Sequence, residues 1–296
     1  MTEKTVLGID LGGTAIKFGR FDEAGNEQAS LTLKTPQPTM PEAVMDRVAA
    51  GIAEIRTSQT IGIGIGTPGP SCRNSRIARI AINLDNWIDI PVADMLERMT
   101  ALPTIVENDA NCAALGEAWL GAGKTYQDFV LLTLGTGVGG AVIMGGDLFL
   151  GRKGAAGELG LVTVNLDGPP CNSGNSGSLE QYCSVTAIRR NTGKDPSELA
   201  RLAAEGDNDA LQFWTAYGRL LGAGLASSVY ILTPEAVVIG GGVSASAPFF
   251  FPSAEAELAR RVMPTSHGGV ELVVAALGNK AGITGAAKLA WQRAQT

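Results

Sequence analysis

Apolar residues recur along this chain in two rhythms, and their alternation sets the expected architecture. Short apolar runs bounded by turn residues predict strands at Val6–Asp10, Ala15–Phe21, Ala29–Lys34, Ile61–Gly66, Thr104–Val106, Phe129–Leu134, Ala141–Met144, Ala236–Ile239 and Val270–Ala275. A spacing of three and four residues predicts helices. One starts near Thr39, with Val44, Val48, Ile52 and Ile55 on one face and Thr39 and Glu42 spaced as a capping box. Others are expected at Val92–Met99, Ala113–Leu120, Leu179–Asn191, Pro196–Ala204, Asp209–Leu232 and Ala281–Ala294.

Glycine placement refines this picture. In Ile61-Gly62-Ile63-Gly64-Ile65-Gly66 every second residue is glycine, so one face of the strand is bare and a close neighbour is expected there. Leu11-Gly12-Gly13-Thr14 joins two strands as a hairpin whose amides can converge on a phosphate. Gly135-Thr136-Gly137-Val138-Gly139-Gly140 repeats that strand, Gly/Thr turn, strand design. The echo suggests two related lobes, with a boundary at Gly121-Ala122-Gly123. The expected division is 1–121, completed by the C-terminal helix 281–296, and a larger lobe over 122–280.

Two nucleotide motifs are approached and missed. Residues 135–140 have the G-x-G-x-x-G spacing, but a dinucleotide fingerprint needs a helix directly afterwards, and Ala141–Met144 reads as a strand. Gly121-Ala-Gly-Lys-Thr125 resembles the end of a P-loop, but position 118 is Ala118 and no strand precedes it.

Composition narrows the chemistry. Hydrophobic residues at 45%, aromatics at 5% and 39 glycines describe a soluble α/β protein of enzyme size. A net charge of −6 without a basic block gives no electrostatic footprint for nucleic acid or an anionic membrane. No apolar run reaches the roughly 18 residues of a membrane span, and Met1–Thr5 carries no signal-peptide pattern, so a cytoplasmic protein is expected. The four cysteines form no Cys-x-x-Cys pair, which fits free thiols. The single histidine, His267, excludes a multi-histidine metal site, and no Gly-x-Ser-x-Gly elbow precedes it. Acid–base work falls to carboxylates.

The carboxylate best placed for it is Asp109, in the polar knot Glu107-Asn108-Asp109-Ala110-Asn111 between a strand and a helix. Asn and Asp at such a place are also the commonest helix N-caps. The two glycine turns favour the chemical reading, with Asp109 as general base. Asp10, beside Gly12-Gly13-Thr14, offers a carboxylate next to a nest of amides. Since Mg²⁺ is held by few carboxylates and by nucleotide phosphates, that one is enough, directly or through water. Lys17 is either an exposed strand lysine or a reach toward the phosphates.

Taken together, Leu7-Gly-Ile-Asp-Leu-Gly-Gly-Thr-Ala-Ile-Lys17, Gly66-Thr-Pro-Gly69, Asn83-Leu84, Glu107-Asn-Asp109, Leu134-Gly-Thr-Gly-Val-Gly-Gly140, Ile239-Gly-Gly-Gly-Val-Ser244 and Ala281-Gly-Ile-Thr-Gly-Ala286 resemble the ROK family in order and spacing. The resemblance spans nearly the whole chain. It implies an actin-like ATPase fold, with two ribonuclease H-like lobes around a nucleotide and sugar cleft. It further implies an ATP-dependent hexose kinase, most simply a glucokinase, in which Asp109 deprotonates the sugar's 6-hydroxyl. By the same resemblance Gly69, Asn83, Asn108, Glu158 and Glu180 hold the sugar. Asp10, Gly12, Gly13, Thr14, Lys17, Thr136, Gly137, Gly139, Gly241 and Gly242 then serve ATP and its Mg²⁺, and a homodimer is expected by analogy.

One departure stands out. Family members carry a histidine and three cysteines that bind a structural zinc, and here Leu161, Ser173 and Ser178 replace three of them, leaving Cys171. One thiol cannot hold zinc, so the expectation is a zinc-free loop kept in shape by packing and hydrogen bonds. The lost histidine also leaves the sugar open among glucose, mannose, fructose and N-acetylated hexosamines. Polyphosphate is an alternative donor, with Arg73, Arg76 and Arg79 as its only basic hint. A sugar-responsive repressor is the non-enzyme alternative. Such repressors carry a winged-helix domain ahead of the core, where this sequence has only a few residues before the first strand.

Overall fold

The computed structural model describes residues 3–81 and 83–294. Met1, Thr2, Gln295 and Thr296, at the ends of the expected lobes, lie outside them. The described chain divides into two compact units. One takes the chain as far as Lys124, Leu148–Ala156, and the chain from Asn279 onward; the other takes Thr125–Asp147 and Gly157–Gly278.

The first unit is built on strands β1 (Thr5–Leu11), β2 (Ala15–Phe21), β3 (Glu27–Lys34), β4 (Thr60–Thr67) and β7 (Thr104–Asn108), in the order β3-β2-β1-β4-β7. Between β4 and β7 lie β5 (Ala78–Ile80) and β6 (Ile88–Ile90), which pair as a small ribbon. Strands β1, β2 and β3 form an antiparallel meander, while β1, β4 and β7 run parallel. Helices α1 (Pro41–Ile55) and α2 (Val92–Thr100) sit in the parallel crossovers, and α3 (Asp109–Leu120) follows β7 directly. The expected face of α1 is the buried one, Val44, Val48, Ile52 and Ile55.

The capping box does not form. Pro41 occupies the first helical turn of α1 and Met40 is its cap, without a side-chain bond. A proline there fixes the helix start two residues past Thr39, so Glu42 is too early to reach back. Thr39 instead exchanges bonds with Asp85, donating from Oγ1 to Oδ2 (2.8 Å) and accepting the Asp85 amide (2.7 Å).

The second unit repeats the plan with β8 (Phe129–Leu134), β9 (Val138–Met144), β10 (Asp147–Leu148), β11 (Ala236–Gly240) and β12 (Glu271–Val274), ordered β10-β9-β8-β11-β12. Again a hairpin, β8 with β9, leads into parallel strands, β8 with β11 and β11 with β12. Its helices are α4 (Glu180–Cys183), α5 (Val185–Thr192), α6 (Pro196–Ala204), α7 (Asn208–Leu232), α8 (Ala247–Arg261) and α9 (Pro264–His267). The single helix expected over Leu179–Asn191 breaks at Ser184, whose side chain accepts the Ala187 amide and so starts α5 afresh. Helix α8 has no clean amphipathic signal, because it carries Pro252 in its interior and a run of three phenylalanines.

The last helix, α10 (Ala281–Ala294), returns to the first unit and fills the bare glycine face. A Cβ at Gly8 would stand 1.8 Å from Ile283 O, and one at Gly64 1.8 Å from Ala286 O. On its other side α10 meets α3, where a Cβ at Gly285 would stand 1.6 Å from Cys112 O. The helix backbone thus lies against β1, β4 and α3 with no room for side chains at these crossings. Among the described residues no helix is long and apolar enough to cross a membrane.

Candidate active site

In the first unit, antiparallel register sets Asp10 on β1 opposite Lys17 on β2, and Lys17 Nζ lies 3.4 Å from Asp10 Oδ2. Burial raises the Asp10 pKa above the ordinary carboxylate value, and the lysine opposes part of that rise. The turn between these strands is braced through its carbonyls. Thr35 Oγ1 donates to Gly12 O (2.6 Å), Gln37 Nε2 to Gly13 O (3.0 Å) and the Thr35 amide to Thr14 O (3.0 Å). The start of α10 abuts the same carboxylate, since a Cβ at Gly282 would come within 3.1 Å of Asp10 Cγ.

The polar knot lies at the end of β7. The helix cap and the candidate base fall on adjacent residues. Asn108 is the N-cap of α3, its Oδ1 accepting the amides of Ala110 (2.9 Å) and Asn111 (3.1 Å). Its Nδ2 donates to Gly69 O (2.9 Å), which leaves one N–H for a ligand. Asp109 is then the first residue of α3, its Oδ1 accepting the Ala110 amide at 2.8 Å. An anion at that position is favoured by the amides of the first turn.

Glu107 is the anchor beneath them. Only 1% exposed, it accepts bonds at Oε1 from Ser71 Oγ (2.9 Å), the Asn108 amide (2.8 Å) and Asn111 Nδ2 (3.0 Å). Burial raises its pKa, and those three bonds oppose the rise. The strand-end loop is thereby tied to β7 twice, by Ser71 to Glu107 and by Gly69 to Asn108. Gly69 itself has φ +75°, and a Cβ on it would overlap Ile80 O at 1.8 Å. Asn83 is exposed, with its backbone near Gly13. Cys112, one turn into α3, is fully buried; burial, followed by the charges of Glu107, Asp10 and Asp109, raises its thiol pKa far above the usual value. Three carboxylates of this unit, Glu107, Asp10 and Asp109, therefore lie around one thiol.

In the second unit, Thr136 and Gly137 form the tip of the β8–β9 hairpin, with Gly139 opposite Thr133. Glu180, the first residue of α4, turns back to the hairpin, and its Oε2 accepts the Val138 amide at 3.0 Å. Glu158 is set by close backbone approach, because a Cβ on Gly140 would stand 2.4 Å from Gly157 O. Burial and then the charge of Glu180 raise the Glu158 pKa. Gly241, at φ +82°, lies against Leu134 O, where a Cβ would come to 2.4 Å, so the end of β11 meets the base of the same hairpin. Gly242 opens the short 3-10 turn that follows, with open space beside it.

The zinc implied by the family does not fit this chain. Leu161 brings no ligand atom to the set it shares with Cys171, Ser173 and Ser178. Among the described residues no group of three or more His, Cys, Asp or Glu is placed to hold a metal ion. Asn175 ties the two halves of the loop instead. Its Nδ2 donates to Leu161 O (3.1 Å) and Thr163 Oγ1 (2.9 Å), and its carbonyl accepts the Cys171 amide (2.7 Å).

Ser71, Thr35, Gln37 and Asn175 were not singled out by sequence reasoning. Their bonds join residues distant in the chain, Ser71 to Glu107 for example, and leave no periodicity to read.

Comparison with known proteins fits this geometry. The family model described as "ROK family" matches residues 6–293. A glucokinase from Thermotoga maritima is 35% identical over 314 aligned positions covering 99% of each chain. The crystal structure of a ROK family glucokinase from Streptomyces griseus, in complex with glucose and AMPPNP, is similar with a TM-score of 0.83 and 32% identity, over 97% of this chain and 99% of that one. A ROK hexokinase from Thermus thermophilus has a TM-score of 0.86 and 34% identity, over 98% and 99%. The α/β, actin-like ATPase fold expected from the sequence is the fold of those structures, and the chain belongs to the ROK family.

Proposed function

We propose that this chain is an ATP-dependent glucokinase that transfers the γ-phosphoryl group to the sugar's 6-hydroxyl. The carrying observation is Asp109: a carboxylate at the first position of α3, supported from below by Glu107 and flanked by the cap Asn108. In this reading the 6-hydroxyl gives its proton to Asp109 as its oxygen bonds to phosphorus, and ADP departs. Phosphoryl transfer asks little covalent work of a protein; it asks for an aligned hydroxyl, a base and amide dipoles on the phosphate.

The remaining residues have roles suited to their chemistry. Asn108 has one N–H left to donate to a sugar hydroxyl, and Glu158 and Glu180 accept from others, while Gly69 and Asn83 complete the sugar side of the first unit. A hydroxyl unmatched at such acceptors costs about 1–3 kcal/mol, which is how one hexose is told from another. The turns at Gly12–Thr14 and Thr136–Gly137, with Lys17, Gly139, Gly241 and Gly242, serve the nucleotide. Mg²⁺ would be held by Asp10, directly or through water, together with phosphate oxygens, and would neutralise phosphate charge. The protein would work in the cytoplasm, with glucose and ATP as its small-molecule partners and without zinc.

The test is ADP release with MgATP against a panel of hexoses, for wild type and Asp109→Ala. Turnover on glucose that falls by about 10²–10⁴-fold in the variant supports the reading. Turnover only on another hexose moves the specificity, and silence on all of them refutes kinase function with ATP.

A further inference from the structure

The start of α5 grips the tip of the β8–β9 hairpin. The Val185 amide donates to Gly135 O at 2.8 Å, and Thr186 Oγ1 donates to Thr136 O at 2.7 Å. Within the turn the Gly135 amide donates to Gly137 O at 2.9 Å, and Glu180 Oε2 takes the Val138 amide. A peptide unit is planar and trans, so its C=O and N–H point in opposite directions. Fixing Gly135 O and Thr136 O toward α5 therefore aims the amides of Thr136 and Gly137 the other way. Two neighbouring amides held on one side are what an anionic oxygen binds.

We propose that Thr186 is a positioning residue for the nucleotide phosphates, setting the Thr136–Gly137 peptide from behind while Glu180 fixes the far end of the turn. The idea rests on the kinase reading above. Glu180 is then shared: the carboxylate assigned to the sugar also sets the phosphate turn. Gly137 is the residue that lets it do so, since a Cβ there would stand 2.4 Å from Glu180 Oε2. Nothing else about Thr186 asks for a hydroxyl. It is exposed, and Ser184 already caps α5.

The experiment compares wild type, Thr186→Val and Thr186→Ser in the full chain. Calorimetry would give the affinity for Mg-AMPPNP and, separately, for glucose, and hydrogen exchange would follow the 135–138 amides without ligand. Valine keeps the shape and removes one hydrogen bond, so AMPPNP binding should weaken by about five- to tenfold. Exchange at 135–138 should quicken, glucose affinity should hold, and serine should restore binding to within about twofold of wild type.

Valine binding AMPPNP as tightly as wild type would overturn the proposal, as would faster exchange without weaker binding. Equal losses for AMPPNP and glucose would mark a general loosening and overturn it too. Wild-type protein that binds no AMPPNP would sink the nucleotide reading itself, and the proposal with it.

Discussion

Gly64→Ala adds one methyl group where α10 crosses β4. The new Cβ would stand 1.8 Å from Ala286 O and 2.6 Å from its carbonyl carbon, both backbone atoms that no rotamer change can move aside. A relaxed carbon–oxygen contact is about 3.3 Å, so α10 has to retreat by about 1.5 Å. It cannot do so alone, because the same helix is seated at Gly8 and at Gly285 with comparable approaches. The retreat would loosen the buried cluster of Val6, Phe21, Ile283, Ala287, Ala290 and Trp291. Overpacking of this kind costs about 1–3 kcal/mol, and a clash with backbone belongs at the upper end. A loss of about 3 kcal/mol corresponds to a melting temperature lower by about 6–12 °C in a unit of this size. Gly62→Ala on the same strand is the control: its nearest neighbours are Pro103 O at 3.6 Å and Ala290 O at 3.7 Å, ordinary contacts. There the relief of glycine entropy should leave stability unchanged or up by about 0.5–1 kcal/mol. Thermal unfolding of both variants decides the matter. Equal shifts at positions 62 and 64 would refute the view that backbone contact with α10 is what requires glycine at 64.

Three further outcomes are expected. Glu107→Ala leaves Ser71 Oγ, the Asn108 amide and Asn111 Nδ2 without their acceptor; at about 1 kcal/mol or more each, thermal unfolding should show a loss of about 3 kcal/mol, much of it recovered in Glu107→Gln. Because burial and Glu180 raise the Glu158 pKa, glucose affinity should fall with decreasing pH at a midpoint above the ordinary glutamate value of about 4.3, as Glu158 gains a proton and stops accepting. In Glu180→Gln that midpoint should move down, and a fixed midpoint would exclude their coupling. Extensive dialysis against a zinc chelator should leave the melting temperature unchanged, whereas Asn175→Ala, which removes the bonds to Leu161 O and Thr163 Oγ1, should quicken hydrogen exchange across 161–176. Tightly bound zinc in the untagged protein would count against that reading.

What could be read in the sequence is what leaves a local trace. Strand and helix periodicity located most elements, and α10 ends where the spacing places it, at Ala281 and Ala294. The alternating glycines at 62, 64 and 66 implied a close neighbour but could not say which, since Gly64 meets the last helix of the chain, more than two hundred residues on, and Gly66 meets Cys112 of α3. Thr39 misled because a capping pattern is a local rule, and Asp85, distant in sequence, offered a better partner. Helix α8 was missed for the opposite reason: Pro252 breaks the local signal, while burial of Phe250, Ala254 and Leu258 makes the helix in the fold. At the candidate site the reactive residue types were legible, and the residues that orient them were not. Glu107 appeared in the knot with no role, and its role comes from Ser71 across 36 positions.

The two glycine turns look alike in sequence, and the likeness extends to how they are set, though by different means. At 12–14 the carbonyls are taken by Thr35 and Gln37, residues at and just beyond the end of β3. At 135–137 they are taken by Val185 and Thr186, residues of a helix that has no counterpart in the first unit's hairpin. In both, bonds on the carbonyl side orient the amides of the same peptide units away from the brace. A glycine-rich turn is too permissive to hold one amide direction by itself, because glycine populates both signs of φ. Direction has to be imposed from outside the motif. Under the proposed function, that explains why the motif repeats within the chain while its supports do not: the turn would present amides to a phosphate in either unit, but any donor that reaches the carbonyls can aim them. On the nucleotide-binding reading proposed above, the residues that would tune that binding lie outside the glycine motifs, at Thr35, Gln37 and Thr186, where no pattern of glycines points.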